Sequence, residues 1–152
     1  MKIRIDLDPQ WEEEEVVIRC RELNDMVKRM QDAIATLTQT KQTLVLYRSE
    51  AEYYVGVEEI LFFETMENGM TAHTREHIYQ AKYRLYELEE ILPHYFVRVS
   101  KSAIVNAREL YSLKKSNLST TSIVEFRESC KQVYVSRHYT KLLRDKLSEI
   151  RH

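Results

Sequence analysis

Cationic and hydroxyl side chains interrupt a strand-like stretch, YFVRVSKSAIVN, at residues 95–106. The interrupting group contains Arg98, Ser100, Lys101 and Ser102, with apolar residues suited to a core on either side. Lysine and arginine neutralise phosphates, while serine hydroxyls and backbone amides hydrogen-bond to phosphate oxygens. These residue types therefore indicate contact with a polyanion, made from a strand end or a turn.

The basic residues are concentrated in the C-terminal part of the chain. Residues 95–152 hold 12 Lys and Arg against 5 Asp and Glu, a net charge of +7, which leaves 11 against 19, or −8, for residues 1–94. Besides the group above, the positive part contains Lys114, Lys115, Arg137, His138, Lys141 and Arg144. Such an asymmetry suggests a basic face for nucleic acid. The alternative is that charges of both parts intermix after folding, and a protein-interaction module is then an equal reading.

Signatures of catalysis are mostly missing. Two glycines in the whole chain leave no room for a glycine-rich phosphate loop. His73 and His77 have helical ligand spacing, but they lie in predicted strand and turn, and exposed strand histidines explain them better than a metal site. Ser112 and Lys115 match the short S-x-x-K pattern without its partner motifs. We therefore predict no enzyme, no metal, no cofactor and no small-molecule substrate.

The compartment follows from cysteines and hydropathy. Cys20 and Cys130 stand in dissimilar contexts without C-x-x-C spacing, which favours two free thiols in a reducing cytosol. No apolar run has the length of a membrane span and no signal peptide opens the chain. The prediction is a cytoplasmic protein.

The first 40 residues have the pattern of a small strand-strand-helix element. KIRIDLD (2–8) alternates with a period of two, and VVIRC (16–20) reads as a second strand. An amphipathic helix is predicted over 22–37. Its apolar stripe consists of Leu23, Met26, Val27, Met30, Ile34 and Leu37. The polar connector TQTKQ follows and places a domain boundary after residue 40, with the stripe either packing within the chain or forming a dimer seam.

Residues 41–152 have the pattern of a sheet-rich body with two helices. Branched and aromatic residues indicate strands in TLVLYR, YYVGV, ILFFET, MTAHT, EHIYQAK, YFVRVSKSAIVN, ELYSLKK, SIVEFRES and KQVYVS. RLYELEEIL has helical spacing and ends at Pro93, and a second helix follows Ser136, whose hydroxyl suits an N-cap. The fold class is therefore α+β, β-rich, with a mostly antiparallel sheet.

Three blocks of this body resemble the LytTR family of bacterial DNA-binding domains. They are ILFFET with TAHT, the long YRLYELEEILPHYFVRVSKSAIVNARELYSLKK, and VYVSRHYTKLLRDKL. The middle block is specific, with F-x-R-x-x-K-S-x-I-V-N followed in order by V-S-R-x-Y. The resemblance spans about residues 44–147.

The resemblance implies an elongated, mostly β fold whose loops enter successive major grooves of double-stranded DNA. Lys101 and Ser102 then face the duplex from a first loop. A second contact loop contributes Ser136, Arg137 and His138, with Lys141 one turn further on. A third contact comes from the turn Glu67-Asn68-Gly69, where Asn68 is the candidate residue. His138 stands where family members commonly have arginine, which bears on the preferred base.

Each of these residues also has a structural reading. Ser136 caps its helix in either case, and Lys101 and Arg137 can be solvated charges. Arg98 alternates with core positions, so a structural ion pair and a DNA contact stay equally open.

Partners are also implied by the resemblance. Many members carry a receiver domain ahead of this one, but 40 residues are too short for a receiver, so the chain resembles stand-alone regulators. Some of these are held in check by a small membrane protein, and the family usually binds paired sites, which favours a homodimer. The resulting hypothesis is a sequence-specific transcription regulator; the alternative is an interaction module that keeps the fold and binds such a regulatory partner.

Overall fold

The computed structural model describes residues 1–38, 41–115 and 121–151, and the chain forms two compact units, Met1–Thr40 and Lys41–His152. The first unit contains helix α1 (Asp25–Thr38). The helix starts after Asn24, whose side-chain Oδ1 accepts a hydrogen bond from the backbone N–H of Val27 at 3.0 Å. The sequence predicted a start at residue 22, a few residues too early, because the apolar spacing already begins at Leu23, before this cap. Residues 39 and 40 of the predicted connector lie outside the described residues.

The two strands predicted in the first unit are not formed. Within the described residues 1–24 there is no strand, and nearly all side chains of this segment are exposed. An alternating pattern provides the faces of a strand, but a strand exists only when a neighbour accepts and donates its backbone hydrogen bonds. The strand-strand part of the prediction for residues 1–40 was therefore wrong for this single chain.

The second unit contains ten strands and two helices among its described residues. The strands are β1 (Thr43–Arg48), β2 (Ala51–Gly56), β3 (Phe62–Met66), β4 (Gly69–His73), β5 (Ile78–Ala81), β6 (Phe96–Arg98), β7 (Ala103–Asn106), β8 (Leu110–Lys115), β9 (Ser122–Phe126) and β10 (Gln132–Val135). The helices are α2 (Leu85–Ile91) and α3 (Arg137–Arg151). Short 3-10 helices cover Val57–Glu59 and Ala107–Glu109.

All strand pairs are antiparallel and fall into two sheets. The larger sheet has the order β2-β1-β5-β4-β3-β7-β6, and the smaller has the order β10-β9-β8. The predicted α+β class, with an antiparallel sheet body and two helices, is confirmed. Because β3, β7 and β6 are neighbours, their turns meet at one end of the larger sheet.

The centre of the larger sheet is covered on both faces. Neighbouring Phe62 and Phe63 of β3 pack into two different core clusters, and so do Ile104 and Val105 of β7. The second cluster includes the smaller sheet and Leu143 of α3, which is fully buried. Strands buried on both faces read as continuous apolar runs, which is why these segments lack alternation.

Candidate nucleic-acid interface

The cationic group of residues 98–102 lies on the tight turn between β6 and β7. The turn closes with a hydrogen bond of 3.0 Å from the Val99 N–H to the Ala103 carbonyl. Within it, Ser100 Oγ accepts a bond from the Ser102 N–H at 3.1 Å and lies 3.3 Å from Ser102 Oγ. Val99 is buried, whereas Lys101 at the tip is exposed. The apolar residues thus fix the strands, and the tip presents the cation.

The side chain of Arg98 donates hydrogen bonds to two backbone carbonyls of this turn. Its Nε donates to the Ser100 carbonyl at 3.0 Å, and one terminal nitrogen donates to the Lys101 carbonyl at 3.0 Å. The other terminal nitrogen forms an ion pair of 2.7 Å with Glu89 of α2. All three bonds of the guanidinium end on protein atoms, so the structure supports the structural reading of Arg98. Glu89 was not predicted as part of this site, and Ser100 was named in the cationic and hydroxyl group but not among the contact residues that the resemblance implies.

Backbone hydrogen bonds join the β6–β7 turn to two other segments. On one side the Ser102 carbonyl accepts a bond of 2.8 Å from the N–H of Thr65, near the end of β3. On the other side the Val99 carbonyl accepts a bond of 2.8 Å from the N–H of Ser136, directly before α3. The turn is therefore the link between the β3–β4 hairpin and the start of α3.

This arrangement brings the predicted contact residues to adjoining loops. Three of them, Arg137, His138 and Lys141, are exposed in the first two turns of α3, whose start is bonded to the β6–β7 turn. Asn68 is exposed at the tip of the β3–β4 hairpin, three residues beyond Thr65. The predicted serines, Ser102 and Ser136, are half-buried.

The hairpin that carries Asn68 depends on a glycine. Met66 and Gly69 pair across a two-residue turn, and Gly69 has a φ of 110°, which non-glycine residues rarely adopt. A side chain at this position would strain the backbone, although the space around it is open. Gly69 therefore fixes the position of Asn68.

The start of α3 is held by backbone acceptors. The Ser136 carbonyl accepts bonds from the N–H of Tyr139 at 3.0 Å and from Oγ1 of Thr140 at 3.1 Å. The predicted capping by the Ser136 hydroxyl stays a prediction. The positive end of the helix dipole lies at Arg137 and His138, where it adds to their affinity for an anion.

Two other basic residues of the positive half form ion pairs with nearby glutamates. Lys114 forms an ion pair of 2.8 Å with Glu125 on the smaller sheet, and Lys146 pairs with Glu149 at 3.3 Å. At least two of the basic residues of 95–152 are therefore paired with carboxylates away from the joined loops.

His73 is not the exposed strand histidine that the sequence predicted. Its ring stacks on Phe62 with 4.1 Å between centroids, and Nε2 lies 3.1 Å from Oγ1 of Thr71. Burial and the nearby charge of Lys131 lower its pKa from 6.5 to about 4. The other histidine, His77, is exposed, and its Nδ1 lies 2.5 Å from a terminal nitrogen of the Arg48 guanidinium. Within the described residues no group of His, Cys, Asp or Glu is arranged as a metal site.

Acid is expected to destabilise the protein through His73. Between pH 6.5 and about 4 the unfolded histidine binds a proton that the folded one does not, so the free energy of unfolding falls as the pH is lowered through this window. After a discount for solvent screening, we expect a loss of about 1 kcal/mol between about pH 7 and pH 5. Urea unfolding measures it. His73→Phe should lose less stability over this range, and the exposed-site control His94→Gln should behave like wild type; equal losses for all three would refute the assignment.

Comparisons with known proteins agree with the fold. A solved LytTr DNA-binding domain from Bacillus cereus superposes with a TM-score of 0.64 at 24% identity, covering 71% of this chain and 98% of that chain. This likeness concerns the fold alone.

The family follows from two sequence comparisons. A family model described as the LytTr DNA-binding domain matches residues 50–148. Relatives from two strains of Staphylococcus aureus, described as uncharacterized HTH-type transcriptional regulators, are each 30% identical over 149 residues, which is 97% of this chain and 99% of theirs. The chain belongs to the LytTR family of DNA-binding domains, which is not a class of enzymes.

Among the residues that the structure describes, no two helices follow one another as a helix-turn-helix pair. In the described residues, five strands separate α1 from α2 and five more separate α2 from α3. The term HTH-type in the relatives' description therefore has no counterpart among the described helices of this chain. None of the described helices combines the length and apolar character that a membrane crossing requires.

Proposed function

We propose that this protein is a sequence-specific transcription regulator that reads the major groove of double-stranded DNA through loops. Membership of a DNA-binding family supports binding to DNA, and the description of the relatives supports a role in transcription. In this proposal Lys101 and Arg137 neutralise phosphates, and Ser102 and Ser136 fix the register on the backbone. His138 and Asn68 read base edges, and Lys141 extends the phosphate contact.

The observation that carries the proposal is the pair of 2.8 Å backbone bonds at the β6–β7 turn. One bond ties Ser102 to Thr65 and the other ties Val99 to Ser136, so loops from three distant parts of the chain are fixed to one another. Binding then does not have to order each loop separately, which lowers its entropic cost. Several rigid loops are an alternative to a single helix for filling a major groove of roughly 12 Å.

Salt dependence tests the phosphate contacts. Each neutralised phosphate adds about 0.9 to the slope of log affinity against log salt on duplex DNA. We expect Lys101→Ala to weaken binding to specific and random duplexes alike and to reduce this slope by about 1. Gel shifts over a salt series, with fragments selected from bacterial genomic DNA, provide the measurement.

Lys114→Ala is the matched control, because it removes the same charge from a cation that is paired with Glu125 on the smaller sheet. It should leave the slope close to that of wild type. Affinity that does not respond to salt, or no binding to genomic fragments, would instead support the interaction module that keeps the fold and binds a regulatory partner.

The further partners in the proposal come from the resemblance to stand-alone family members. They are a small membrane protein that restrains the regulator and a second copy that occupies a paired DNA site. A cytoplasmic location is part of the same proposal, since chromosomal DNA in a bacterium is reached there.

A further inference from the structure

The segment of residues 2–8 has one charged and one apolar face. Arg4 and Asp6 lie on the same side, where two bonds of 2.8 and 2.9 Å join the guanidinium to the carboxylate. The apolar residues between the charges are Ile3, Ile5 and Leu7, which are 90%, 79% and 90% exposed. Bonds from the N–H groups of Gln10 and Trp11 to Asp8 form a turn that ends the segment.

Nothing in the described chain covers the apolar face or pairs with the backbone of this segment. No strand is formed within residues 1–24. A contiguous exposed apolar row on a strand-like segment is a typical site for pairing with another strand. The described residues of this chain therefore provide no partner strand for residues 2–8.

The charge sequence selects that neighbour. When KIRIDLD is laid antiparallel on itself with Ile5 opposite Ile5, Lys2 stands opposite Asp8 and Arg4 stands opposite Asp6. The opposing charges thus form four ion pairs across the two strands, and all apolar side chains fall on the other face. Opposite charges across a strand pair are stabilising, and like charges are destabilising.

Other pairings of the same segment are disfavoured. A parallel pair in register places each charge opposite its own copy. Shifting the antiparallel pair by two residues sets either Arg4 against Arg4 or Asp6 against Asp6. A shift by one residue turns the charged side chains of one strand onto the apolar face of the other. One register is therefore specified.

We infer that residues 2–8 pair antiparallel with residues 2–8 of a second copy of this chain, with Ile5 at the two-fold axis. Such an isologous contact is the common geometry of homodimers. A two-stranded ribbon alone is only marginally stable, so its apolar face needs a cover. Exposed apolar residues of the same unit are available for this purpose, namely Leu23 just before α1 and Met26 and Leu37 of α1. The inference deepens the proposed homodimer by naming the segment that forms it.

Charge reversal tests the pairing in the full chain. One variant carries Lys2→Glu and Arg4→Glu, which makes the segment wholly acidic; the other carries Asp6→Lys and Asp8→Lys, which makes it wholly basic. Wild type is expected to sediment at twice the chain mass of 18.2 kDa. Each variant alone should repel its own copy, with a dissociation constant raised about a hundredfold, and their equimolar mixture should recover the dimer mass.

The mixture also shows that both variants are folded, because an unfolded chain would not restore the dimer. A variant that stays dimeric alone, a mixture that stays monomeric, or a monomeric wild type would each overturn the inference. The readout is mass in the absence of DNA, so its failure is distinct from a failure of the DNA-binding proposal.

Cross-linking tests the register. Directly opposed residues of an antiparallel pair have Cα atoms about 4.5–5.5 Å apart, within the range of a disulfide. In a background of Cys20→Ser and Cys130→Ser, which removes the two exposed thiols, Ile5→Cys should cross-link to itself. Ile3→Cys should not, but should cross-link with Leu7→Cys. Efficient self-linking of Ile3→Cys would exclude this register.

Discussion

Replacing Arg98 by alanine is expected to lower DNA affinity about tenfold to a hundredfold, equivalent to about 1–3 kcal/mol, although all three bonds of its guanidinium end on protein atoms. Arg98 donates to the carbonyls of Ser100 and Lys101 and pairs with Glu89. Without these bonds the turn loses its support, and binding must then order it at an entropic cost. Gel shifts on a selected fragment measure the affinity.

The same substitution should also lower stability. Arg98 is mostly buried and makes charge-assisted bonds, whose loss costs about 1–3 kcal/mol in the free energy of unfolding. Urea unfolding provides this value independently of DNA. If stability falls and affinity does not, the β6–β7 turn is no DNA contact.

Two matched variants separate the causes. Glu89→Gln removes the carboxylate charge but leaves the two bonds from Arg98 to the turn, so affinity should stay within about threefold of wild type, since a partly exposed ion pair contributes little. Lys114→Ala removes one positive charge from the smaller sheet and reports the effect of net charge alone. A loss in either variant equal to that of Arg98→Ala would contradict support of the turn as the cause.

Local patterns were sufficient to predict most elements of residues 41–152. Helix α2 has leucines at helical spacing before Pro93, and α3 follows a serine at the end of a strand. The two-sided burial of β3 and β7 leaves apolar runs that indicate strands without alternation. Residues 2–8 show the limit of this reasoning. Their charged and apolar residues alternate as in a strand, but no partner strand is present in the described residues.

The site required information that local patterns lack. Glu89 is nine residues from Arg98 and on another element, so its role depends on how α2 packs near β6. The burial of His73 depends on Phe62, which is beside it only because β3 pairs with β4. The adjacency of β3, β7 and β6 joins the loops of Asn68 and Lys101, and this strand order follows from the whole fold. Residue types indicated the cationic group at residues 98–102, whereas the contact loops at residues 136–138 and 67–69 were predicted through the family resemblance.

A change at His138 is expected to alter which DNA sequences are preferred. His138 is exposed in the first turn of α3, next to Arg137 and directly after the segment bonded to the β6–β7 turn. An imidazole offers one donor and one acceptor, which suits a single base edge in the major groove. His138→Ala should therefore lose about 1–3 kcal/mol of discrimination at one base pair while binding to random DNA stays unchanged.

His138→Arg provides the complementary result. A guanidinium makes two parallel bonds to the O6 and N7 atoms of guanine, so this variant should move the preference at the same base pair towards G. Selection from a library randomised over the operator, followed by sequencing, compares both variants with wild type. The controls are His94→Ala, an exposed histidine at the opposite end of β6, and Arg137→Ala, whose loss should be uniform over sequences. A uniform loss for His138→Ala as well would make this residue a phosphate contact, and base reading would then have to come from Asn68 or another loop residue.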